Sequence, residues 1–337
     1  VARKTPQQRR IEALLRTQTA SIRKAFTEAM AKASAGIDTA ALVRLLEAGN
    51  IEAAAQLFKI DSGVMYPLQR AIQDAFIGGG LAVTQDLPKG LAGRFSFDGA
   101  HPRAVALATE QAAALVTNIS DDAIINARKV ISDGLASNRA LTGVARDLAG
   151  RRVGNRRVGG VLGLTQPQTD RAINIRSMLG DPDRIGEYFE GGAARYKESD
   201  RRFNKLVRKA INEGRALSQA DVDRVTQAYT AKATGNRAKT VARNEAFIAQ
   251  ATGRDESYRQ MLEGGNVESV TVRWQHNLSV NPRDDHVAMD GTVIQLGETF
   301  NFPDGARMKY PHDPAGGAAH SIGCRCVAIH RVKLPRD

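Results

Sequence analysis

Both cysteines of the chain, Cys324 and Cys326, and five of its six histidines lie beyond residue 270. A Cys-x-Cys pair on an extended strand turns both thiols to one face, because side chains alternate. With His286 and one of His312 or His320, the pair offers the two sulfurs and two nitrogens that a tetrahedral zinc ion takes. Other roles stay open for the same residues. Reduced thiols pack as small apolar groups, and histidines cap loops through hydrogen bonds. A nuclease-like reading makes His286 a general base and Asp290 a metal holder, but this segment carries no nuclease motif and no basic excess. An architectural reading gives Arg283, Asp290 and Arg325 a polar network that pins long loops to a small sheet, with Gly291 making the tight turn before the second strand. The architectural reading is preferred, since a segment poor in aromatics and rich in loops needs such ties. It asks for no cofactor, and zinc is its alternative.

A second group of residues suits phosphate. Arg146, Arg151, Arg152, Arg156, Arg157, Arg171 and Arg176 fall in a stretch whose only acids are Asp147 and Asp170. Lys197, Arg201, Arg202, Lys205, Arg208 and Lys209 follow. Arginine beside glycine lets backbone and guanidinium approach phosphates without reading bases. Arg151, Arg152, Arg156 and Arg157, in the Gly-Arg-Arg-Val-Gly-Asn-Arg-Arg run from Gly150, are the candidate DNA-binding residues. Binding there would be salt-sensitive and sequence-independent; the competing role is a solvated charged face.

The charge distribution agrees with a division of labour. From residue 264 onward 8 Lys/Arg balance 8 Asp/Glu, so the net +12 lies entirely in the first 263 residues. Two cysteines one residue apart allow no disulfide framework, and a reducing compartment of synthesis is expected. The basic start, Val1-Ala2-Arg3, leads into a polar helix rather than a signal peptide, and no apolar run is long enough to span a membrane.

The elements that must position these residues change character along the chain. Thr5-Pro6 starts a helix whose apolar face is Ile11, Leu15, Ile22, Phe26 and Met30. A later helix carrying Met65, Leu68, Ile72 and Phe76 is expected to end at Gly78-Gly79-Gly80. Further helices are expected over 102–116, 120–135 and 141–149, then a weakly ordered Arg/Gly loop over 150–163. Thr165 caps the next helix, and one or two long helices run from Ser218 to about Leu262, burying Val222, Val225, Tyr229, Val241 and Phe247. After Gly264-Gly265 the period becomes two: Val270, Val272 and Trp274 alternate with polar residues, Thr292–Leu296 is a second strand, and Cys326–Val332 a third. The expectation is an α+β protein: a long, mostly α-helical N-terminal region and a small α+β C-terminal domain with a mostly antiparallel sheet. Its segments are 1–135 (helical), 136–263 (basic and helical, with the Arg/Gly loop) and 264–337 (the small domain).

An ordered set of motifs ties the C-terminal half together: Arg243-Asn244-Glu245 on the long helix, Trp274 on a strand, Arg283 to Gly291 with His286 and Asp290, Pro311-His312-Asp313-Pro314, and Cys324-Arg325-Cys326. In this order they resemble the phage Mu F-like head morphogenesis family, more weakly upstream to about residue 140. Asn244 stands where that family usually has threonine, Gly323 where it has asparagine, and His276-Asn277-Leu278-Ser279 replaces a commonly acidic loop. The resemblance implies a minor capsid protein of the virion, inside the capsid, and in the host cytoplasm during assembly, with no membrane involved. Its implied partners are the portal protein, the major capsid or scaffold protein, and packaged double-stranded DNA. It implies help in procapsid assembly and in genome exit, and no enzymatic activity. The competing reading is a metal-dependent nuclease or toxin-like effector on the same C-terminal scaffold. Such an effector is expected to carry a further catalytic domain, and the sequence here stops five residues after Val332.

Overall fold

A computed structural model of the chain describes residues 4–277 and 282–335. Val1-Ala2-Arg3 and the Leu278-Ser279 pair therefore lie outside the described residues. The chain opens with α1 (Pro6–Ala35), α2 (Thr39–Glu47), α3 (Ile51–Gln56), α4 (Ser62–Leu81), the short α5 (Lys89–Ala92) and α6 (Pro102–Ala136). Next come α7 (Leu141–Ala149), β1 (Arg151–Val153), β2 (Arg156–Val158), α8 (Gln166–Leu179), β3 (Phe189–Glu190), β4 (Ala193–Ala194), α9 (Asn204–Asn212) and the 45-residue α10 (Gln219–Glu263). The last part holds β5 (Ser269–Gln275), α11 (Asp284–Ala288), β6 (Val293–Gln295), β7 (Phe300–Asn301), β8 (Arg307–Met308), α12 (Gly317–Ser321) and β9 (Val327–Lys333). The class is α+β, as expected. No helix among the described residues is long and apolar enough to cross a membrane.

The chain packs as two compact units that are discontinuous in sequence. The first comprises residues 1–26, 67–114 and 239–337, the second residues 27–66 and 115–238. Composition divides the chain linearly at 135 and 263. Compactness does not follow those lines, because the unit boundaries fall inside α1, α4, α6 and α10.

In the first unit α4 runs unbroken through Gly78, Gly79 and Gly80, where a break was expected. The glycines serve close packing instead. A Cβ on Gly79 would sit 2.6 Å from the carbonyl oxygen of Gln250, and one on Gly253 would sit 2.0 Å from that of Phe76. The α4 and α10 backbones thus touch where one of the two helices has a glycine. The sheet has the order β6-β5-β9, all antiparallel, with Val272 opposite Ile294 on one side and His330 on the other. Val270, Val272 and Trp274 are buried while their neighbours are half-buried, the alternation read from sequence. Trp274 centres a core with Phe300, Phe302, Met308, Tyr310, Cys324 and Cys326.

In the second unit α8 starts with a reciprocal capping box between Thr165 and Gln168. Helix α6 is one helix where two were expected, and α10 is one. Of the face assigned to α10, Val222, Val225 and Tyr229 are buried, whereas Val241 and Phe247, which belong to the first unit, are half-buried. The 150–163 segment is a hairpin rather than a weakly ordered loop. Strands β1 and β2 pair Arg151 with Val158 and Arg152 with Arg157 across a turn at Gly154 and Asn155, and Gly154 takes a φ of 59°. Gly150 and Gly160 allow the base of the hairpin to close, since a Cβ on Gly160 would lie 2.6 Å from the Gly150 nitrogen.

Candidate functional site

The sulfur and histidine cluster is built by three loops of the first unit. The two cysteines precede β9 rather than lying within it. The left-handed Gly323 (φ 76°) and a bond from the Cys324 amide to Ser321 O (3.2 Å) turn the chain. The Cys326 amide then donates to the Cys324 sulfur at 3.3 Å, which brings both thiols to one side. Helix α11 presents His286, whose Nδ1 lies 3.4 Å from the Cys324 sulfur and 3.6 Å from the Cys326 sulfur. The Trp274 indole meets the His286 ring edge-on at 5.3 Å and walls the cluster.

The two other candidate histidines separate. His320 Nδ1 bonds His286 Nε2 at 3.0 Å, and His320 Nε2 bonds the Asp304 carboxylate at 2.9 Å. His320 therefore stands behind His286. His312 instead lies beside the Cys324 sulfur and helps lower that thiol's pKa. It is 1% exposed, and neither ring nitrogen makes a hydrogen bond among the described residues. Its backbone is left-handed at φ 71°, unusual for a residue with a Cβ. Asp313 holds that loop by accepting from the amides of Lys309 (2.7 Å) and Ala315 (3.0 Å).

The two thiols differ in character. Sharing a proton with Cys326, with His286 and His312 adding to the effect, holds Cys324 far below the ordinary thiol range; the same interaction, with burial, pushes Cys326 up. A thiolate next to two imidazoles is a soft donor set. The cavity bordered by Cys326 and His312 has a volume of only ≈ 10 Å³, room for about one water and no substrate.

The network expected from Arg283, Asp290 and Arg325 resolves into separate ties. Arg283 donates to Ile322 O at 2.7 Å. Asp290 accepts from the His276 amide at 2.8 Å and from Gln275 at 3.1 Å, closing the end of β5. Gly291, at φ 85°, donates to Trp274 O at 2.9 Å and makes the turn into β6. The Arg325 side chain joins neither tie; with Arg243 and Arg273 it lines a cleft of ≈ 930 Å³, and none of the three has a carboxylate partner among the described residues. Asp290 belongs to no metal-competent group among the described residues. Sequence reading missed the weight of Glu245, a buried carboxylate that accepts from Gln111 at 3.0 Å and whose pKa burial raises.

In the second unit the four arginines of the hairpin are not equivalent. Arg151, Arg152 and Arg156 are exposed and have no side-chain partner among the described residues. Arg157 turns inward and donates to Gly150 O (3.3 Å) and Ile37 O (3.2 Å). Arg176, read as part of the same basic cluster, is buried in an ion-pair network with Asp147 and Asp223.

Residues 201–329 match the family described as Phage Mu protein F like protein. The stretch from 140 to 200, where a weaker likeness was expected, lies outside that match. The uncharacterized protein YqbB of Bacillus subtilis (strain 168) is 32% identical over 94 residues, covering 27% of this chain and 29% of that protein. No solved structure matches the chain.

Proposed function

We propose that this chain, whose residues 201–329 match the Phage Mu protein F like family, is a head morphogenesis protein that acts as a minor capsid component, associates with the portal inside the head and touches packaged DNA through the β1–β2 hairpin. In this role it assists procapsid assembly and genome exit, and it is not an enzyme. The observation that carries the DNA reading is the hairpin: three exposed guanidiniums without side-chain partners among the described residues, in the part of the chain that holds the whole positive excess. Arg151 and Arg156 share one hairpin face with the exposed Val153 and Val158, while Arg152 stands opposite Arg157 on the other. Such an arm presents charge to a phosphate backbone and offers no planar amides for base reading. A non-catalytic role is supported by the burial of His286, Cys324 and Cys326 and by the small cavity beside them.

Co-expression with the portal protein of the same phage tests the first part, with a co-eluting complex expected on size exclusion and separate elution of two folded proteins overturning it. For DNA, replacing Arg151, Arg152 and Arg156 by alanine should weaken binding to a random-sequence duplex. The slope of log K against log salt should fall by about 0.9 for each phosphate that is no longer neutralised. An unchanged slope returns the hairpin to a solvated face. Deleting residues 1–135 is no substitute for these variants, because both compact units draw on that segment.

A further inference from the structure

We propose that His286, His312, Cys324 and Cys326 bind one zinc ion as a tetrahedral two-sulfur, two-nitrogen centre, with His320 and Asp304 as its outer layer. The proposal stands on the geometry of the cluster and does not depend on portal or DNA binding.

The spacing fits the ion. Zinc sits about 2.3 Å from sulfur and about 2.0–2.1 Å from nitrogen, so a tetrahedron sets sulfur and nitrogen about 3.5 Å apart. The two distances from His286 Nδ1 to sulfur are 3.4 and 3.6 Å. The donor atoms of His286, Cys324 and Cys326 all lie within 4.8 Å of one another.

The hydrogen bonds behind the cluster fix the tautomer. With Asp304 accepting from His320 Nε2–H, His320 Nδ1 is left to accept from His286 Nε2–H. His286 Nδ1 then carries a free lone pair aimed at the sulfurs. A metal-ligating histidine held from behind in this way is the usual outer-layer arrangement.

His312 stands beside Cys324 but outside the group whose donor atoms all lie within 4.8 Å of one another, so it supplies the fourth donor by a turn of its ring toward the sulfurs. Neither ring nitrogen of this buried imidazole has a hydrogen-bond partner among the described residues, which leaves two polar atoms unsatisfied. The chain also holds this residue in a left-handed conformation, with its Asp313 neighbour clamping the loop. Both costs make sense if the ring serves an ion beside Cys324. His320 does not compete for this place, because its Nδ1 is engaged by His286. Two sulfurs and two imidazoles in an apolar setting of Trp274 and Phe302 select zinc over magnesium or calcium, which take oxygen ligands. All four positions of the tetrahedron belong to the protein, which makes the centre structural rather than catalytic.

The test uses the full chain expressed in zinc-supplemented medium and purified without chelator. About one zinc ion per chain is expected, released in step with modification of Cys324 and Cys326 by a thiol reagent. Cobalt substituted for zinc should give the intense visible bands of a tetrahedral site and thiolate-to-cobalt charge transfer in the near ultraviolet. Less than a tenth of an ion per chain in protein that melts cooperatively, with no such cobalt spectrum, overturns the proposal. The His312→Asn variant should lose at least tenfold in affinity and change the cobalt spectrum; unchanged affinity and spectrum overturn the assignment of the fourth ligand. His320→Ala should keep the cobalt spectrum and weaken binding by about 10–100-fold. An unchanged affinity there removes the outer-layer role. The wild-type measurements do not depend on any variant folding.

Discussion

In the second unit Arg139 and Arg176 meet Asp147 and Asp223 at 2.6 to 3.0 Å, with every side chain nearly buried. In the first unit Cys324, Cys326 and His286 converge at 3.4 to 3.6 Å, but no carboxylate–guanidinium pair joins them, and His312 has no hydrogen bond among the described residues. The first arrangement closes on itself: two cations meet two anions, and Gln219 adds a further donor to Asp223 at 2.9 Å. The second gathers soft donors around a point. Burial of polar groups therefore has two readings in one chain. Paired charges brace the fold, whereas unpartnered donors of like chemistry indicate a ligand.

The sharpest way to break that contrast is to open the closed cluster. Arg176→Ala leaves Asp147 and Asp223 facing a single buried arginine, Arg139, with Arg146 more distant. Removing one partner of a buried pair costs about 3–5 kcal/mol. Urea unfolding should show that decrease equally with and without a chelator. A decrease under about 1 kcal/mol, in the range of surface pairs, would mean the cluster is no brace.

The next effect is electrostatic and has a defined sign. Burial, against the pull of Arg176 and Arg139, pushes Asp147 up to about 6 from 3.8. Asp223, although burial opposes it, is held low by hydrogen bonds from the same two arginines, so Asp147 is the carboxylate of the two that takes up a proton first as pH falls. A raised carboxylate means the native state holds a proton that the unfolded chain has released. Asp147 therefore costs stability as pH rises from about 4 through about 6, by up to about 3 kcal/mol. Asp147→Asn should flatten that part of the stability profile between pH 4 and 7. A variant with the wild-type slope would place the titration elsewhere.

These two clusters also mark where sequence reading succeeds and fails. Local signals carried well: Thr165 marked a helix start, and the period-two pattern around Trp274 marked β5. The pairing of Arg176 with Asp223 was illegible, because the residues are far apart in sequence and composition counts charges without pairing them. Arg176 consequently looked like part of a free basic face. Cys324, Cys326 and His286 were legible as a group, but choosing between His312 and His320 required the loop geometry that sends one ring to the sulfurs and the other to Asp304. The glycine triplet misled for a different reason. Glycine weakens a helix in isolation, yet it is the residue that lets two helices touch, and only the partner backbone at Gln250 shows which effect wins. Gly79→Ala should thus destabilise by about 1–3 kcal/mol through overpacking, where an exposed helical glycine would gain from alanine. A stabilised variant would show that α4 and α10 can separate at no cost.

The smallest effects separate the hairpin's free arginines from its tied one. Arg152 has no partner among the described residues, whereas Arg157 bonds two carbonyls, so equal charges sit in unequal roles. Arg152→Ala should leave the melting temperature unchanged and lower the salt slope of duplex binding by about 0.9. Arg157→Ala should cost about 1–3 kcal/mol of stability, since the carbonyls of Gly150 and Ile37 lose a charged donor. The pair is informative in both directions. If Arg157→Ala changes the slope at unchanged stability, the guanidinium leaves its carbonyls to meet phosphate. If Arg152→Ala lowers stability instead, the exposed face of the hairpin is itself part of the packing and not a free surface for phosphate.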